Sequence, residues 1–116
     1  MISNEFDYED VRASENFGIK QYKDSIYRGQ LEKKTRKRHG LGAIVYQNGR
    51  IYEGEWHMDH RQGGGYEVFQ NGNTYHGQFE HGKAHGKGVY TWKNGEVYDG
   101  EWTQGVKKGY GVWKGT

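Results

Sequence analysis

Residues 27–116 alternate apolar or aromatic positions with polar ones in short runs, and glycines punctuate the runs. Tyr27, Tyr52, Tyr75 and Tyr98 recur at a nearly constant interval, the first gap being slightly the longest. Two places after each stands a glycine (Gly29, Gly54, Gly77, Gly100), and two further on come Leu31, Trp56, Phe79 and Trp102. A period of two puts all three positions on one face of a strand. Paired glycines follow at Gly40/Gly42, Gly63/Gly65, Gly86/Gly88 and Gly109/Gly111, and units close on Asn48-Gly49, Asn71-Gly72 and Asn94-Gly95.

Asn-Gly is the favoured two-residue hairpin turn, because a type I′ turn needs positive φ at both central positions. Asn94-Gly95 is therefore expected to join a strand ending near Trp92 and Lys93 to one starting at Val97. The opposite end of each unit is expected to be a longer turn, as in EHGKAHG at 80–86. Each unit is then two short antiparallel strands, and successive units make one meander. Upstream, FGIKQYKDSIY at 17–27 keeps the glycine-to-tyrosine spacing (Gly18, Tyr22) with Lys23-Asp24-Ser25 in place of the Asn-Gly turn, which adds a ninth strand. The predicted fold is all-β: an elongated single-layer antiparallel meander of about nine strands, spanning on the order of 40 Å at about 4.8 Å per strand. Its divisions are an acidic tail (1–16), a degenerate half-repeat (17–26) and four repeats (27–51, 52–74, 75–97, 98–116).

Composition explains how such a sheet could hold together. Only 32% of the 116 residues are hydrophobic, and aromatic residues, 16% of the chain, supply half of that, alongside 20 glycines and no proline. Tyr and Trp must therefore carry the burial, each covering a large area while keeping a polar end. Glycines weaken a strand intrinsically, but they leave room for a neighbouring ring to lie on backbone. Stability then comes from stacking between units, and isolated repeats should not fold. The absence of Cys excludes disulfides and thiolate metal sites and suits a reducing compartment. No apolar run is long enough for a signal peptide or a membrane span.

The Tyr-x-Gly-x-Trp, Gly-x-Gly and Asn-Gly pattern, as in YDGEWTQGVKKGYGVW and YHGQFEHGKAHGKGVYTWKNG, resembles the MORN repeat (membrane occupation and recognition nexus) over roughly residues 26–116. Repeat one departs from it by two extra residues in EKKTRKRH, repeat two by HRQGGG, and repeat four by VKKG without a histidine. The resemblance implies a non-catalytic scaffold of the kind found in ciliary axonemes, cortical cytoskeletal assemblies and membrane junctions, or an accessory segment of lipid kinases and of a lysine methyltransferase. No catalytic residue carries over.

The residues themselves say little for catalysis. His76, His81 and His85 cluster in sequence, but helical spacing has no meaning in a hairpin turn, and His85 falls where MORN units commonly carry His. No metal and no cofactor is expected. Glu53/Glu55 and Asp99/Glu101 look like paired acids and bases, yet alternation puts them opposite Tyr and Trp, on a face expected to be solvated. The serines stand near no histidine, and no Gly-Lys-Ser/Thr sequence makes a phosphate loop.

Three features remain as candidate interaction sites. The first is an aromatic groove formed by Tyr52, Trp56, Tyr75, Phe79, Tyr98 and Trp102, either packed as a core or offered to a partner helix or strand. The second is the basic turn Lys33, Lys34, Arg36, Lys37 and Arg38, expected to protrude and to be mobile. It is open to three readings: a solvated tip, a contact for acidic protein surfaces, or a contact for anionic lipid. Nucleic acid would need a broader basic stripe with stacking rings beside it. The third is the last strand, with Tyr110 and Trp113, an open edge that invites pairing or continuation of the array past Thr116. Residues 1–24 carry three basic and six acidic side chains, hence −3, against +5 for the remainder. The acidic residues 1–16, with Phe6 and Tyr8, are expected either to be disordered or to cap the first edge.

The expected function is a scaffold binding other proteins, cytoplasmic and placed in the cytoskeleton or a cilium. The alternatives are a peripheral module for anionic phosphoinositides and a regulatory fragment of a larger enzyme.

Overall fold

The computed structural model describes residues 7–115. Nine strands follow in chain order: β1 Phe17–Gln21, β2 Ser25–Leu31, β3 Arg38–Tyr46, β4 Ile51–His57, β5 His60–Val68, β6 Thr74–Glu80, β7 Lys83–Thr91, β8 Val97–Thr103 and β9 Val106–Lys114. They form one antiparallel sheet in the order β1 to β9, each strand pairing only with its sequence neighbours. The principal extents are 44 × 26 × 24 Å, close to the length expected from strand spacing.

The alternation seen in the sequence becomes a sorted sheet. On β2, burial alternates strictly, with Ser25, Tyr27, Gly29 and Leu31 buried. Register continues the sorting across the sheet: Tyr27 lies opposite Ile44, Ile44 opposite Tyr52, and Gly42 opposite Gly54. One face therefore carries nearly all of the core: Tyr27, Leu31, Ile44, Tyr52, Trp56, Tyr75, Phe79, Tyr98 and Trp102.

The two kinds of turn are distributed the other way round from the sequence expectation. At the Asn-Gly end only the glycine has positive φ (Gly49 93°, Gly72 92°, Gly95 95°). Gly49 donates its N–H to the Tyr46 carbonyl at 3.1 Å, and Tyr46 N–H reaches the Arg50 carbonyl at 2.9 Å. That is a three-residue loop, a type I turn followed by a left-handed glycine. The asparagine works through its side chain instead: Asn48 Oδ1 accepts from Arg50 N–H at 3.0 Å, and Asn71 and Asn94 repeat the bond. In repeats two to four the far end, expected to be long, is a two-residue turn. Met58-Asp59 has φ of 44° and 74°, His81-Gly82 51° and 81°, Gln104-Gly105 53° and 83°, with His57 paired to His60 across the first. The apparent length of EHGKAHG comes from a bulge further along the strand. In the equivalent hairpin Gly54 pairs with Gly65 and Trp56 with Arg61, so residues 62–64 face Glu55 alone.

That bulge separates the roles of the paired glycines. The first, such as Gly63 with φ of 87°, occupies a left-handed conformation that most side chains avoid. The second lies under a tyrosine. A Cβ on Gly88 would sit 2.1 Å from Tyr75 Oη, so a side chain there would displace the ring.

Before the sheet comes a helix that the sequence pattern did not indicate, α1, Tyr8–Ala13. Asp7 caps it, accepting from Glu9 and Asp10 N–H groups, and Val11 is its buried residue. Tyr8 meets Phe17 edge-on at 6.3 Å, and Asn16 exchanges backbone and side-chain hydrogen bonds with Leu31. Phe6, grouped with Tyr8 in the sequence, lies outside the described residues.

Candidate interaction face

The six rings expected to line a groove form the spine of the sheet. Tyr52 is fully buried, Tyr75 is 1% exposed, and Trp56, Phe79, Tyr98 and Trp102 expose at most 6%. They meet edge to face in an unbroken zigzag: Tyr27–Trp56 at 5.3 Å, Tyr52–Trp56 at 5.2 Å, Tyr52–Phe79 at 5.1 Å, Tyr75–Phe79 at 5.1 Å, Tyr75–Trp102 at 5.4 Å and Tyr98–Trp102 at 5.6 Å. Such pairs add about 0.5–1.5 kcal/mol each beyond the area they bury. Five of the rings place their polar ends on backbone carbonyls. Tyr27, Tyr52 and Tyr75 donate their hydroxyls to the carbonyls of Gln30, Glu55 and Gln78 at 2.7–2.8 Å. Trp56 and Trp102 donate Nε1–H to Gly42 and Gly88 carbonyls at 3.0 and 3.1 Å. Burial pushes the phenols of Tyr27 and Tyr52 well above their ordinary value, and that of Tyr75 up to about 12. A partner laid on this face would not touch these rings first.

It would touch a second row. Tyr22, Tyr46, Phe69, Tyr90 and Trp92 pack against the spine while only partly buried, and Trp113, stacked on Trp92 at 4.7 Å, is 54% exposed. Tyr46, Phe69 and Trp92 occupy the same position in successive repeats.

A third feature of this face escaped the sequence reading. Arg38, Arg61 and Lys107 also share one position of the repeat, and each lays its charge on the rings. The Arg38 guanidinium is 4.5 Å from the Trp56 ring centre and 5.3 Å from Tyr22. Arg61 is 4.7 Å from Tyr52 and 6.0 Å from Tyr46. The Lys107 ammonium is 4.5 Å from Trp113, 5.1 Å from Trp92 and 5.2 Å from Tyr98. The signal that could have found them is the same period that revealed the tyrosines. Glu67 was missed for a similar reason. It occupies the position of Ile44, Tyr90 and Trp113 in the other repeats, is only 5% exposed, and binds both Arg50 and Arg61, the latter at 3.0 Å. Arg61 also donates to the Tyr46 hydroxyl at 2.9 Å.

The basic turn is split by the structure. Lys33, Lys34, Arg36 and Lys37 are exposed, but Arg38 turns inward onto Trp56 and pairs with Asp59 at 3.1 Å. Burial would raise the Asp59 pKa, yet hydrogen bonds from Arg38 and its charge outweigh this and hold the carboxyl below its usual range. The expected loose loop is a closed turn. Glu32 accepts from the N–H groups of Lys34 and Thr35 and from the Thr35 hydroxyl, bonds that lower its pKa. Lys20 Nζ ties down the Arg36 carbonyl at 2.9 Å.

The remaining candidates are scattered. Glu53, expected on a solvated face, is 7% exposed, since the face opposite the rings packs it between its cross-strand neighbours Ala43 and Tyr66. Glu55 is exposed and accepts from Gly64 N–H at 2.7 Å. Asp99 and Glu101 are exposed. His85 pairs with Glu80 at 3.0 Å, while the His76 ring lies 5.6 Å from Tyr66. Every residue of β9 is exposed, Tyr110 by 89%.

Comparison with protein-family models finds the MORN repeat at residues 52–74, 75–97 and 98–116. A search of curated proteins found no match.

Proposed function

Because the chain belongs to the MORN-repeat family, whose repeats mediate contacts with proteins or membranes, we propose that it is a non-catalytic scaffold that binds another protein along its ring-bearing face. The observation that carries this reading is the row of half-open rings, Tyr46, Phe69, Tyr90 and Trp92, standing over a buried spine. Aromatic side chains held rigid by what lies beneath them lose little entropy on binding and are favoured anchors. Their recurrence from repeat to repeat suits an elongated segment more than a small molecule. Placement in the cytoskeleton or a cilium is part of this proposal, as a spacer of fixed length serves such assemblies.

The test is proximity labelling in the native cell with the wild type and with a Phe69→Ser, Trp92→Ser variant whose circular dichroism is unchanged. Loss of a discrete set of protein neighbours in the variant supports the reading. An unchanged set sinks it.

One observation favours a second reading, an anionic membrane surface: four exposed basic side chains share one closed turn, each worth about 1 kcal/mol near such a surface. Co-sedimentation with phosphoinositide vesicles that fails on neutralising Lys33, Lys34, Arg36 and Lys37 would establish it.

A further inference from the structure

At positions 38, 61 and 107 a basic side chain of the chain itself covers the rings, but the equivalent residue of the remaining repeat is Ala84. Ala84 packs against the ring cluster, and its methyl group is too short to fill the space that Arg or Lys occupies elsewhere. A cavity of about 220 Å³ opens there, with Phe69, Tyr90 and Trp102 among its walls. The charge around it is one-sided. Arg50, Arg61 and Lys83 border it, against one carboxylate among the described residues, that of Glu67. Both oxygens of Glu67 are already taken, Oε2 by Arg50 and Oε1 by Arg61. Arg61 is committed as well, since it also donates to the Tyr46 hydroxyl and lies over the Tyr52 ring. Arg50 has capacity to spare. Its side chain donates a single hydrogen bond among the described residues, through Nη2. The Nε–H is buried without an acceptor, while 39% of the side chain is exposed.

We infer that this cavity receives an acidic side chain of the protein partner, a glutamate, whose carboxylate meets Arg50 while its methylenes lie against Phe69 and Tyr90. The inference rests on the reading of this face as a protein-binding surface and names the chemistry that the partner must bring. The surplus of positive charge sets the sign of the occupant. A carboxylate supplies the acceptor that Arg50 lacks, in a charge-assisted bond about twice as strong as a neutral one, and the bond gains further where walls exclude water. The size sets the scale: a volume below the roughly 300–1,000 Å³ of small-molecule sites suits a single side chain. The walls select what carries the charge. Phe69 and Tyr90 stack at 5.7 Å and offer mostly carbon to whatever passes them. The methylenes of glutamate match that lining. The hydroxyls of a phosphorylated sugar headgroup would lose their water there without partners, at a cost, so a protein side chain fits better than a lipid.

The experiment titrates the full chain, labelled with ¹⁵N, with the peptide acetyl-Gly-Leu-Glu-Leu-Gly-amide, following the Trp102 indole N–H. The same peptide with glutamine, the neutral isostere, or with arginine in place of glutamate serves as comparison. The glutamate peptide should shift Trp102 saturably and more weakly as salt rises, and the glutamine peptide should bind about tenfold more weakly. Arg50→Gln, in which Glu67 keeps Arg61, should make the two peptides bind alike. Equal binding of glutamate and glutamine peptides to the wild type, preference for the arginine peptide, no shift at Trp102, or discrimination retained in Arg50→Gln would each overturn the inference. A soluble phosphoinositide headgroup that shifts Trp102 where the glutamate peptide does not would also overturn it and assign the cavity to a membrane. Should Arg50→Gln misfold, Ala84→Met fills the cavity and should abolish the response, and the glutamate–glutamine comparison on the wild type decides without either variant. Loss of partners in the Phe69→Ser, Trp92→Ser variant combined with silence toward the glutamate peptide would remove the carboxylate seat while leaving the scaffold reading in place.

Discussion

Gly88→Ala tests the physical basis of the sheet, a tyrosine ring lying on bare backbone. The added Cβ would lie 2.1, 2.3 and 2.4 Å from Oη, Cζ and Cε1 of Tyr75. Ordinary contact begins near 3.4 Å, so the ring must be compressed or expelled. Compression is overpacking, which costs about 1–3 kcal/mol, at the upper end for so deep an overlap. Expulsion breaks the 2.8 Å hydrogen bond to the Gln78 carbonyl, worth about 1 kcal/mol, and the edge contacts to Phe79 and Trp102, worth about 1 kcal/mol each. Both routes converge on roughly 3 kcal/mol, a sizeable part of the roughly 5–15 kcal/mol that a domain of this kind has in total. At an m value of about 2 kcal/mol/M the urea midpoint should fall by about 1.5 M, read by far-ultraviolet circular dichroism and tryptophan fluorescence. Two glycines calibrate the result. Gly115→Ala meets no atom within 4 Å and should cost less than about 0.5 kcal/mol. Gly82→Ala also meets nothing but has φ of 81°, so backbone strain alone should cost about 1–2 kcal/mol. In a Tyr75→Ala background the cost of Gly88→Ala should drop below about 1 kcal/mol, a coupling that reports direct contact. A Gly88→Ala penalty no greater than that of Gly82→Ala, or one unaltered when Tyr75 is removed, would refute the reasoning.

Other outcomes follow from the same geometry. Glu67→Gln leaves Arg61 buried without its counter-charge, and because Arg50 is 39% exposed and can rehydrate, the cost should be about 2 kcal/mol, below the roughly 3–5 kcal/mol of a fully buried pair; denaturation in urea checks it. Trp56→Phe keeps the ring but orphans the Gly42 carbonyl, for about 1–2 kcal/mol by the same measurement. Alkaline titration should destabilise the sheet: Tyr27, Tyr52 and Tyr75 keep their protons in the folded state to higher pH than in the unfolded chain. Above about pH 10 the unfolded state therefore binds fewer protons, and stability falls by up to about 1.4 kcal/mol per pH unit for each phenol. This contribution is fully present below about pH 10. Phenolate absorbance in the near ultraviolet should show these groups ionising only as circular dichroism is lost; their ionisation in the folded sheet would contradict the packing.

How much of this was legible beforehand depended on the range of the interaction. The period of two along a strand and the longer period of the repeat are local facts, written residue by residue. The meander, the nine strands and the sidedness of Tyr, Gly and Trp could therefore be read from order alone. The turns were misassigned because Asn-Gly serves two turn types, and φ at the asparagine is settled by the bulge and register of the flanking strands. Helix α1 is less than two turns long and is capped by a single aspartate, too short to leave a periodic trace. Glu67 and Arg38 were harder still. A charged side chain reads as solvated until the rings and counter-charges contributed by neighbouring hairpins are in place around it.

The order of residues thus dictated a ribbon of hairpins and which face would hold the rings, since alternation and glycine placement act within each strand. Packing between hairpins determined the rest: that the spine rings are sealed against one another, that a second row of rings stays only partly buried, and that a basic side chain lies over the rings at three of four equivalent positions. Those outcomes depend on side chains from different strands meeting across the sheet, as Trp56 meets the Gly42 carbonyl and Arg38 meets Tyr22 and Trp56. At such separations along the chain, local pattern carries no energy of its own.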